Sequence, residues 1–156
     1  MKVEIDTIRK TLEKIIVSQG VFNENDAEVL ASDYVDGELN GKKSHGLVAF
    51  LSVFPKLSQK YPEMEIIKES DAAIYVEANN NFGAIVGRKV ADILVKKAKK
   101  QGVAVAYVRN MKTWLGPGVI ARYLAKYDMV GIVTNNGNPR VAVPGGVYTC
   151  YWNESD

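Results

Sequence analysis

One cysteine and one histidine in 156 residues remove two kinds of chemistry before any motif is read. With Cys150 alone no intrachain disulfide can form, so nothing calls for an oxidising compartment, and a cytoplasmic protein is expected. His45 lies far from that thiol in sequence, so no spaced set of His and Cys ligands exists and no metal site is expected. Net charge is scarce as well: 20 Lys and Arg against 18 Asp and Glu leave +2, no electrostatic ground for a nucleic-acid partner. No run approaches the ~18 continuous apolar residues of a membrane span. The start, Met1-Lys2-Val3-Glu4-Ile5-Asp6, breaks its apolar residues with charges, so neither signal peptide nor membrane anchor is expected. The G-x-G-x-x-G dinucleotide fingerprint is also missing: Asn79-Asn80-Asn81-Phe82-Gly83 with Gly87 has the wrong spacing.

What is present describes an ordinary soluble domain, 47% hydrophobic and 24% charged, long enough to bury a core. Residues 1–62 read as a helical subdomain. Asp6 is a plausible N-cap for a first helix with Ile8, Leu12, Ile15 and Ile16 at helical spacing, and Gly20 is its stop. Asn23 and Asp26 resemble a capping box before a second helix carrying Ala27, Leu30, Ala31, Tyr34 and Val35, which should end near Gly41. Ser44 is a natural N-cap for a third helix running to Phe54, where Pro55 ends or kinks it. That reading puts His45 in a first helical turn.

Residues 63–156 read as an α/β segment. Met64 to Ile67 and Ala73 to Glu77 suggest strands, Gly83 to Gln101 a long helix, and Val103 to Val108 a strand buried on both faces of a parallel sheet. A helix from Gly118 to Tyr127 and a buried strand from Met129 to Thr134 would make a second βαβ unit. The fold class is therefore α/β: a helical subdomain followed by a mixed, partly parallel sheet with flanking helices, not a standard Rossmann fold.

Ser44-His45-Gly46 holds the one side chain that titrates near neutrality, next to a hydroxyl able to orient it. It is a candidate proton-transfer pair or an ordinary capping turn. In open α/β sheets ligands bind beyond the carboxyl ends of strands, here Asn79 to Phe82, Arg109 to Pro117 and Asn135 to Arg140. Gly116-Pro117-Gly118 before a helix either brings amides to a phosphate or forms a plain turn, and Asn135-Asn136-Gly137-Asn138-Pro139 either contacts a ligand or turns the chain. Trp114 and Trp152 either stack on an aromatic ring or fill a core or interface.

The ordered set Gly37-Glu38-Leu39-Asn40-Gly41, Ser44-His45-Gly46, Asn81-Phe82-Gly83, Lys97 to Ala104, Val108-Arg109-Asn110, Val130 to Asn135 and Val141 to Gly146 resembles the malate/L-lactate dehydrogenase family. This is the non-Rossmann type, which includes sulfolactate and ureidoglycolate dehydrogenases. The resemblance implies interconversion of a small 2-oxo acid and its 2-hydroxy acid with NAD or NADP. It implies proton transfer by His45, oriented by Ser44, and cofactor contacts from Thr113, Trp114, Gly116, Pro117, Gly118 and Asn135.

Three departures stand beside it. Ala49 falls where the family usually carries an arginine for the substrate carboxylate, and Thr113-Trp114-Leu115 falls where it carries His-Phe-Gly. Set against the family, the 156 residues are short, and the resemblance implies a C-terminal half beyond them. A non-catalytic remnant or interaction module, or one half of a split enzyme, is the alternative. A homo-oligomer or a complementing chain is expected, since a sheet cut short exposes apolar edges.

Overall fold

The computed structural model describes residues 3–112 and 116–136. Helix α1, Ile5–Ser18, turns Leu12 and Ile16 inward and stops before Gly20, whose φ of +71° is the left-handed conformation glycine favours. Its cap position is Glu4, two residues earlier than the Asp6 expected, and Asp6 instead pairs with Arg9 at 2.9 Å. Helix α2, Glu24–Leu39, starts as its sequence requires: the Asn23 side chain accepts the Asp26 N–H at 2.8 Å. Ala27, Leu30, Ala31, Tyr34 and Val35 form its buried stripe.

The third helix departs from expectation. Lys43–His45 is a short 3-10 turn, and only after Gly46 does α3 run, Leu47–Val53. Ser44 caps nothing, because a side chain on α2 takes that role: Glu38 Oε2 accepts the Leu47 N–H at 3.1 Å. His45 therefore closes the turn before α3 rather than lying in the first turn of the helix. Phe50 of α3, Leu57 and the opening of the next helix complete one core with α1 and α2.

Strands β1, Glu65–Glu69, and β2, Ala73–Glu77, pair antiparallel with an irregularity between Ile66 and Lys68. Helix α4, Gly83–Gln101, then crosses over to β3, Val105–Arg109, which pairs parallel with β2. The order β1-β2-β3 makes a mixed sheet containing the expected βαβ unit. The two ends of α4 serve two cores: Ala84 and Ile85 join the helical cluster, while Val86 and Val90 pack on Ile74, Val76 and Ala78 of the sheet.

Two strand expectations fail. β3 is not buried on both faces; Ala106 and Val108 face α4, whereas Val105 and Tyr107 are exposed, because no described element covers the second face. Residues 129–134 form no strand, since no described segment pairs with them. They still alternate: Met129 and Val133 pack on α4 and α5 (Pro117–Ala125), leaving Val130 95% and Ile132 89% exposed. No helix of the described chain is long and apolar enough to cross a membrane.

Candidate functional site

The local fold around His45 depends on two glycines. A Cβ on Gly37 would run into the backbone carbonyl of His45, and one on Gly46 would run into the backbone and carboxylate of Glu38. Glycine at both positions lets the end of α2 lie directly against the Ser44-His45-Gly46 turn. Three backbone bonds hold the turn: Lys42 N–H to Gly37 O at 2.9 Å, His45 N–H to Lys42 O at 2.7 Å, and Gly46 N–H to Lys43 O at 3.2 Å. Ser44 Oγ lies 2.9 Å from His45 Nδ1, so the hydroxyl and imidazole are paired.

His45 is half-buried on the wall of a cleft of about 260 Å3 between the end of α2, the 3-10 turn and the start of α5. Asp33, Asp36, Gly37 and Asn40 line one side, Lys42 and His45 the rim, and Gly116, Pro117, Gly118 and Arg122 the other side. Arg122 Nη2 spans the cleft to Asp36 Oδ2 at 3.2 Å. Asp33 is only 5% exposed; burial, with the neighbouring Asp36 charge, pushes its carboxyl up to about 6 against the opposing pull of Arg122.

The structure thus brings His45 together with Gly116, Pro117 and Gly118, which are 71 or more positions away in sequence. Ser44 touches the site through His45. Asn135 is exposed and is not among the residues lining the cleft. Thr113, Trp114 and the Gly137 to Arg140 stretch lie outside the described residues, as does Trp152. Ala49 sits on α3, packed against the helical core and not lining the cleft.

The asparagines at the carboxyl end of β2 have structural work. Asn79 Nδ2 donates to Glu63 O at 2.6 Å and Asn81 Nδ2 to Pro62 O, tying the sheet to the segment leading into β1. The Asn79 N–H, with Arg109 and Asn110, holds the Glu77 carboxyl below its ordinary range.

Asp33, Asp36, Lys42, Val119 and Arg122 are the lining residues that motif reading missed. A signal did exist: Asp33, Asp36, Gly37 and Asn40 recur at i, i+3, i+4 and i+7, a polar stripe on the face of α2 turned away from its apolar one.

The sequence profile of a family described as malate/L-lactate dehydrogenase matches residues 3–151. L-sulfolactate dehydrogenase of Methanocaldococcus jannaschii is 33% identical over 127 residues, 79% of this chain and 37% of that protein. Malate dehydrogenase of Pyrococcus abyssi is 30% identical over 128 residues, 80% of this chain and 35% of its own. Among solved structures, the sulfolactate dehydrogenase of M. jannaschii superposes with a TM-score of 0.74 at 30% identity, covering 83% of this chain and 38% of that one. Malate dehydrogenase of Pyrococcus horikoshii shares the fold with a TM-score of 0.75 at 23% identity, covering 81% and 37%. The chain thus spans under two fifths of the length of these relatives.

Proposed function

This chain belongs to the malate/L-lactate dehydrogenase family, and on that premise we propose that it carries the proton-transfer half of an NAD(P)-dependent 2-oxo acid reductase site. The observation that supports this reading is the paired Ser44 and His45 on the rim of a cleft whose far wall is the Gly116-Pro117-Gly118 turn.

The residues present fit part of a nicotinamide cofactor. Gly116 and Gly118 put no side chain on the cleft wall and flank the start of α5, where Pro117 has no N–H and the Val119 N–H is bonded to Gly116 O at 2.9 Å, so the Gly118 N–H is the first-turn donor that helix geometry leaves over. About 260 Å3 suits a small acid and a reacting ring; enclosed sites for larger ligands run to about 1,000 Å3. When bound, the cofactor supplies or accepts a hydride at the substrate carbon.

The rest is the work of this chain. With Nδ1–H donating to the Ser44 hydroxyl, the neutral imidazole leaves Nε2 bare and the imidazolium carries its second proton there, at the nitrogen left for the substrate oxygen. As negative charge develops on that oxygen, a protonated imidazole neutralises it; in the reverse direction Nε2 takes the proton from the hydroxyl. The close approach at Gly37 and Gly46 fixes the backbone beneath the imidazole, and Ser44 Oγ holds the ring through Nδ1.

The test is consumption of NADH or NADPH by the full chain with a panel of 2-oxo acids, preceded by calorimetric titration of each cofactor. Saturable binding and a turnover that His45→Asn lowers by about 10²-fold or more support the role. Equal turnover in His45→Asn would refute it. A second reading, a homo-oligomer or complementing chain completing the site, is favoured by the bare sheet face with Val105 and Tyr107 and by exposed Val130 and Ile132. Light scattering of the chain, alone and mixed with a candidate partner, tests it.

A further inference from the structure

We propose that Lys42 anchors the substrate carboxylate, in place of the arginine that position 49 lacks. The inference rests on the 2-oxo acid reading above and names the residue that would make that site selective for acids.

The 3-10 turn decides the geometry. Lys42 precedes it with non-helical backbone angles, φ −92° and ψ 71°, and is tied to its far end by the bond from the His45 N–H. Lys42 caps the turn and His45 ends it, three positions on. Both line the same cleft, whereas the intervening Lys43 does not. The Lys42 backbone is fixed on both sides, its N–H bonded to Gly37 O and its carbonyl to the His45 N–H. The ammonium therefore reaches out from a mount that is rigid with respect to the imidazole.

A 2-oxo acid asks for this arrangement. Its carboxylate and ketone oxygen hang from adjacent carbons, so the cation and the proton donor must serve neighbouring oxygens from the same side. The competing cations are disposed otherwise. Arg122 is engaged by Asp36 at 3.2 Å. Position 49 offers only a methyl group, packed on the helical core. Lys42 forms no ion pair among the described residues, so its charge is open to a ligand. A lysine is a point charge with three donors on a flexible stem, enough for one carboxylate though without the fork of an arginine.

Because His45 is the only histidine, its Cε1–H resonance in the untagged full chain reports on this site alone. Oxamate, an unreactive 2-oxo acid analogue, is titrated with and without NADH into the parent chain and into Lys42→Gln, Lys42→Arg and Lys43→Gln. Each variant is first checked for the parent circular dichroism spectrum. The expected result is a saturable shift in the parent, in Lys42→Arg and in Lys43→Gln, with Kd about tenfold to a hundredfold weaker in Lys42→Gln. An unchanged Kd in Lys42→Gln, or equal weakening in Lys43→Gln, overturns the anchor while leaving an acid site in place. No response of the parent to oxamate under either condition overturns the anchor together with the 2-oxo acid reading.

Discussion

Replacing Gly37 by alanine is the sharpest probe of how the site is built. In a helix interior that change ordinarily stabilises by about 1 kcal/mol, because glycine gives up more backbone freedom than alanine. Here the added Cβ meets the backbone carbonyl of His45 and cannot be accommodated by rotating a side chain. Overpacking against fixed atoms costs about 1–3 kcal/mol, and a backbone obstacle belongs at the upper end. The propensity gain offsets part of that, leaving a net loss of about 2 kcal/mol and a fall in Tm of roughly 4–8 °C for a chain of this size. Relief of the clash must separate the 3-10 turn from α2, which breaks the Lys42 N–H to Gly37 O bond and moves His45 along with it. Thermal unfolding followed by circular dichroism reads the first effect, and the His45 Cε1–H resonance reads the second. A Gly37→Ala chain as stable as the parent, or more so, with an unmoved histidine signal, would show that α2 and the turn are not in the contact described.

Other perturbations separate the remaining parts of the site. Asp33 has a folded value of about 6 against an ordinary 3.8, so the folded chain holds a proton that the unfolded chain has released, and stability falls as pH rises from about 4 through 6. Asp33→Asn removes the buried charge; it should stabilise the chain by about 2–3 kcal/mol at pH 7.5 and by nearly nothing below about pH 4, measured by urea unfolding at both pH values. Glu38→Ala deprives the Leu47 N–H of its acceptor and should cost about 1 kcal/mol, while Glu38→Gln, which keeps a carbonyl acceptor, should cost less. Arg122→Met breaks an ion pair whose members are both partly exposed, so denaturant midpoints should register less than about 1 kcal/mol.

The helical half was legible because its signals are local. Asn23 with Asp26, the apolar stripe from Ala27 to Val35, and Gly20 as a stop each act within a few residues, and each does so in the structure. The strand errors share a cause of the opposite kind. The apolar run Val103 to Val108 has the composition of a strand covered on both sides, but burial depends on what lies across the sheet. Among the described residues only α4 lies there. Residues 129–134 keep the alternation of a strand for the same reason that they are not one: side-chain direction is local, pairing is not.

The site shows the same division more finely. Ser44, His45 and the Gly116-Pro117-Gly118 turn were visible as residue types suited to a task, yet nothing in their spacing says that one cleft contains them. The misjudged helix start matters most here. Ser44 has the chemistry of an N-cap, and a reading confined to neighbouring residues assigns it that role. Glu38 competes for the Leu47 N–H from nine positions away, and Gly37 and Gly46 let its helix come close enough to win. Once α2 supplies the cap, the hydroxyl of Ser44 is free for Nδ1 of His45, and the preceding residues tighten into three per turn. Lys42 lies just before that turn and is joined to it by the bond from the His45 N–H to its carbonyl. The glycines that make the motif recognisable thus act at a distance: they decide that the Glu38 carboxylate caps α3, and so leave the Ser44 hydroxyl to His45.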